Sequence, residues 1–104
     1  MKFEQAITKS LAPFLSPTER KAVDVLVVDS DPDARHAIRQ TLLALGYGAM
    51  SDATDHVAGI QKLQQRHFTH VIFEAKRTTM PARDFLLKCL EYSDELVTIP
   101  ASTE

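Results

Sequence analysis

Val25-Leu26-Val27-Val28-Asp29-Ser30-Asp31-Pro32 is the stretch that decides the fold. Four apolar, mostly β-branched residues run together, and an unbroken run of this kind is what a strand buried on both faces looks like. Carboxylates then appear, and a helix start follows. Asp31 before Pro32 is a good N-cap and first-turn pair: the aspartate oxygen can accept from an orphan helical amide, and proline has no amide to leave unmet. A central strand therefore ends at Asp29 and a helix starts two or three residues later. In open α/β sheets, sites form outside the carboxyl ends of the strands, which places Asp29 where chemistry or ion binding would occur.

The same pattern recurs downstream. The spacing predicts a first helix over Pro32–Leu45, with Ala34, Ile38, Leu42 and Leu45 inward and Gly46 closing it. Tyr47–Ser51 reads as a weak second strand, whose small residues suit an edge. A second helix over Thr54–Arg66 turns Val57, Ile60 and Leu63 inward. Thr69–Glu74 is another buried apolar run closed by a carboxylate. After the loop Ala75–Pro81, a third helix over Ala82–Tyr92 buries Phe85, Leu86, Cys89 and Leu90. Glu95–Ile99 is the fourth strand, and Pro100 is expected to end it. Strands that alternate with helices imply a parallel sheet with right-handed crossovers in a three-layer α/β/α arrangement.

Ahead of this unit, residues 1–21 read as a separate extension. Phe3, Ala6, Ile7 and Leu11 share one helical stripe that Pro13 stops. A helix this short is marginal alone and must dock somewhere, so Phe3, Ile7 and Leu11 are candidate partner-binding residues. Ser16-Pro17-Thr18-Glu19 carries the signature of a capping box before the first strand.

The whole chain has 104 residues, 44% of them hydrophobic and 25% charged, which fits one folded domain. A net charge of −2 gives no electrostatic case for nucleic acid. No apolar run approaches a membrane span, and no secretory leader is visible at the N-terminus, so the expected compartment is the cytoplasm. The single cysteine, Cys89, falls on an apolar helix face and reads as a small buried hydrophobe. His36, His56, His67 and His70 lack metal-ligand spacing.

Asp29 and Glu74 are the pair to watch. Each closes an apolar strand, and if the strands are neighbours the two carboxylates share one crevice. Paired carboxylates there can hold a hard divalent cation such as Mg²⁺ or raise each other's pKa. Here Val25–Pro32, Ala53 and Phe68–Glu74 together resemble the receiver domain of two-component response regulators, over Ala22–Ala101. The resemblance implies a flavodoxin-like parallel sheet, and an activity in which a histidine kinase's phosphoryl group passes to an aspartate with Mg²⁺.

The sequence departs from that pattern at several functional positions. Asp29 matches the first of two expected adjacent acids, and Ser30 stands for the second. Asp31 is acidic but one position late. Glu74 replaces the phosphoacceptor aspartate, and Met80-Pro81 comes three residues later than in the family. The switch hydroxyl aligns with Pro100, and the family's fourth helix, fifth strand with its lysine, and fifth helix are not represented. Lys76 and Arg77 are candidate ion-pair partners for Glu74.

The expectation is therefore a degenerate receiver-like domain over residues 22–104, lacking the last strand and helices. It would act through protein–protein contact in a phosphorelay, not as an enzyme, with Mg²⁺ weak or absent at Asp29 and Glu74. Its partner would be a signalling or kinase component, and a homodimer is expected in which the N-terminal helix covers the first helix of its own or a second chain. The alternatives are a working Mg²⁺-dependent phosphoacceptor, and a purely structural assembly domain.

Overall fold

In a computed structural model, residues 22–75, 80–93 and 95–101 are described. The elements are β1 (Asp24–Val28), α1 (Pro32–Ala44), β2 (Ala49–Ala53), α2 (His56–Gln65), β3 (His70–Glu74), α3 (Ala82–Tyr92) and β4 (Val97–Ala101). The four strands form one sheet in the order β2-β1-β3-β4, parallel throughout. The three-layer α/β reading thus holds. Phe3, Ile7 and Leu11, together with Lys76 and Arg77, lie outside the described residues.

Alternation along β1 explains the layers. Val25 and Val27 point to one face, where Ile38 and Leu42 of α1 meet Tyr47, Ile72 and Ile99. Leu26 and Val28 point to the other, where α2 and α3 enclose Phe68, Val71, Phe73, Phe85 and Cys89. The β1 residues from Val25 to Val28 are at most 1% exposed. The helix start after β1 is as the sequence implies: the Asp31 side chain accepts from the Asp33 amide, and Pro32 occupies the first turn.

Four expectations need correction. The second strand begins at Ala49 and runs to Ala53, two residues later than read, because buried Tyr47 belongs to the connection and not to the ladder. The fourth strand does not stop before Pro100 but runs to Ala101. Among the described residues it is an outer strand, where proline's missing amide spoils no inner ladder bond. Val57 is 40% exposed and Leu90 42% exposed, so neither is a core position. On α2 the buried positions are His56 and Gly59 instead.

Gly59 is small for a steric reason. A Cβ there would stand 2.9 Å from Val28 Cγ2 and 3.1 Å from Phe85 Cε1. Helix propensity favours alanine over glycine by about 1 kcal/mol, but forcing a methyl into a packed core typically costs about 1–3 kcal/mol. Gly59→Ala is therefore expected to lower the urea midpoint, and an unchanged or higher midpoint would contradict this packing. Burial pushes the Cys89 thiol up to about 12. In the native protein it should resist an aromatic disulfide reagent at mildly alkaline pH and react promptly once denaturant is added.

Candidate functional site

Two carboxylates reach the same end of the sheet because two neighbouring strands end in acids. β1 and β3 pair in register through Val28 and Phe73, and the next residue on each strand is Asp29 and Glu74. Both are buried, at 5% and 4% exposure, while Ser30 and Asp31 are exposed. A carboxylate can occupy such a position only if its oxygens find donors.

Glu74 finds them on Ser30. The Ser30 amide donates to Glu74 Oε1 at 3.0 Å, and the Ser30 hydroxyl donates to Oε2 at 3.3 Å. Asp29 is anchored differently. Its Oδ1 accepts from the Asp31 amide at 2.9 Å, its own amide donates to the Ala53 carbonyl, and its carbonyl accepts from Arg35 at 2.7 Å. Arg35 and Arg39 on α1 both pair with Asp52 of β2, at 3.5 and 3.6 Å. The Asp31 carboxylate is engaged at the head of α1 and caps the helix.

On the other side of Glu74 the register places Ala101 opposite it, with Pro100 opposite Phe73. The residue paired with the acid is thus the one that follows Pro100. The Ala75 amide donates to the Ala101 carbonyl there, at 3.1 Å. Neither alanine nor proline has a side-chain hydroxyl. Among the described residues, no group of three or more His, Cys, Asp or Glu side chains is placed to hold a metal ion.

The residue that sequence reasoning missed is His56. It is the first residue of α2, after Asp55, whose side chain caps the helix by accepting from the Ala58 amide at 2.8 Å. The imidazole is fully buried. Nε2 lies 3.0 Å from the Glu74 carbonyl oxygen and Nδ1 lies 3.0 Å from the Met80 carbonyl oxygen. The ring stacks on Phe85 at 4.7 Å and meets Phe73 edge-on at 6.4 Å. The signal was present as spacing: 56, 59, 60 and 63 form one helical face, but a count of apolar residues passes over histidine and glycine. His70, by contrast, lies at the start of β3 against the Thr69 hydroxyl, and burial lowers its pKa from 6.5.

No family model matches the chain, and no curated protein matches it. Among solved structures, the chain is similar to the chemotaxis protein CheY4 of Vibrio cholerae, with a TM-score of 0.63 at 22% sequence identity. The match covers 73% of this chain and 64% of that one, so the chain spans less than two thirds of that protein's length. The likeness is one of fold: the parallel α/β sheet and its helices have the architecture of a CheY-like receiver domain.

Proposed function

We propose that this chain is a receiver-like signalling module that works by protein–protein contact, with a closed carboxylate pair where a phosphoryl-accepting site would be. The observation that carries the reading is the Glu74–Ser30 pair, in which a single serine satisfies both glutamate oxygens. Two donors from one residue fix the orientation of the carboxylate toward Ser30. Glutamate also carries its carboxylate about one methylene further out than aspartate, and in-line transfer tolerates little misplacement. The neutral Ser30 stands where the resemblance to receiver domains implies a second acid beside Asp29 for Mg²⁺. Among the described residues the partner of Glu74 on the β3–β4 ladder is Ala101, which has no hydroxyl to follow a phosphoryl group.

The partner class on this reading is a protein of a phosphorelay, with the chain working in the cytoplasm. We infer a second copy of the chain as one partner, with Phe3, Ile7 and Leu11 supplying the apolar face. Leu43 on α1, 53% exposed, supports an apolar position open to such a contact.

Incubation with acetyl phosphate and Mg²⁺, read by intact mass, should give no phosphoryl adduct. A Mg²⁺ titration followed through the Asp29–Asp31 amides should not saturate in the low millimolar range. The Ser30→Asp, Glu74→Asp double variant should bind Mg²⁺ more tightly than the wild type. An adduct on wild-type Glu74 would establish the rival, a working phosphoacceptor. Light scattering after gel filtration should give a dimer for the intact chain and a monomer once residues 1–15 are removed. A monomer in both cases would remove the second-copy reading.

A further inference from the structure

The imidazole of His56 links three parts of the chain that also share the core on this face of the sheet, where Phe73 and Phe85 meet at 5.3 Å. One nitrogen sits against the carbonyl of Glu74, the last residue of β3, and the other against the carbonyl of Met80, just before α3. Glu74 is also the residue whose carboxylate is held by Ser30. The ring is planar and rigid and spans two main-chain oxygens six positions apart in sequence, donating to whichever one faces the nitrogen that carries the proton.

α3 depends on this contact more than its own sequence suggests. Its N-cap is Pro81, which makes no side-chain capping hydrogen bond. Its first turn is located instead by the Phe85 amide donating to the Pro81 carbonyl, by the hold on Met80, and by Phe85 itself. Phe85 is fully buried, stacked on the His56 ring at an interplanar angle of 26° and pressed against Gly59. Protein interiors are packed at crystal-like density and transmit a displacement instead of absorbing it. A shift of the Glu74 main chain therefore moves the ring, and the ring has Phe85 directly against its face.

We propose that His56 is the positioning residue that couples the Glu74–Ser30 crevice to α3. The path runs from the Glu74 carbonyl through the imidazole to Met80 and Phe85. It holds whether or not Glu74 ever accepts a phosphoryl group, since any change in its hydrogen bonding to Ser30 moves the same main chain. Its failure would thus leave the proposed function standing, and the reverse is equally true.

Coupling between two sites is established by a cycle and not by proximity. Amide spectra are compared for the wild type, Glu74→Gln, His56→Gln and the double variant, with Val57→Ala as a control on the exposed face of α2. In the wild-type background, Glu74→Gln should shift the amides of Ser30 and also those of Met80 and residues 82–90. In the His56→Gln background the Ser30 shifts should persist and the response across residues 82–90 should be lost. The control should leave both responses intact. A response of equal size in both backgrounds would overturn the proposal, as would no response on α3 in the wild-type background. A merely structural role for His56 would lower stability without separating the two responses. Should His56→Gln fail to fold, the ring carbon and nitrogen signals of native His56 give a second reading. They should move on Glu74→Gln, and unmoved ring signals would likewise overturn the coupling.

Discussion

The burial of β1 on both faces is the constraint from which the rest follows. Each of its valines and its leucine contributes about 1.5–3 kcal/mol on leaving water, and the residues can be covered on both sides only if helices lie above and below the sheet. That requirement sends α1 to one face and α2 with α3 to the other. It also excludes charge from the strand interior. The acids can appear only where the strand leaves the core, and because β3 obeys the same rule beside β1, two carboxylates arrive together at one end of the sheet.

Two buried carboxylates side by side are unfavourable unless each is compensated. Here the compensation is local hydrogen bonding: Ser30 serves Glu74, and the Asp31 amide serves Asp29. The longer reach of glutamate suits this arrangement, since its carboxylate meets both the main chain and the hydroxyl of a residue on the neighbouring strand's exit. The arginines of α1 are turned to Asp52 and to the Asp29 carbonyl. The result is a crevice in which each acid has donors supplied by its own neighbourhood.

The strands β1 and β3, the N-cap at Asp31 and the core faces of α1 were legible because apolar runs and their periods are written directly in side-chain type. β2 was displaced because its ladder is carried by small and polar residues, Ala49 to Ala53, while the conspicuous Tyr47 is buried outside it. On α2 Ile60 and Leu63 pack against the core as read, but Val57 does not, because His56 and Gly59 take the buried positions without being hydrophobic. The acids Asp29 and Glu74 could be placed from strand ends alone. The donor pairing of Ser30 could not, because it depends on rotamers, and the neighbour of Glu74 depends on a parallel register that one strand's sequence does not carry.

Pro100 has a consequence for what the outer strand can accept. The Val97 amide donates inward to the Thr69 carbonyl, and along a strand successive amides alternate in direction. The outward-facing amide positions of β4 are therefore Thr98 and Pro100, and the second has no hydrogen to give. Within Val97–Ala101 a chain lying along this edge would find one main-chain donor, at Thr98, and then an interruption. Repetitive strand-on-strand growth needs an uninterrupted row of donors and acceptors. Among the described residues the proline thus breaks the row of donors along the outer side of β4, at no cost to the ladder that β4 shares with β3.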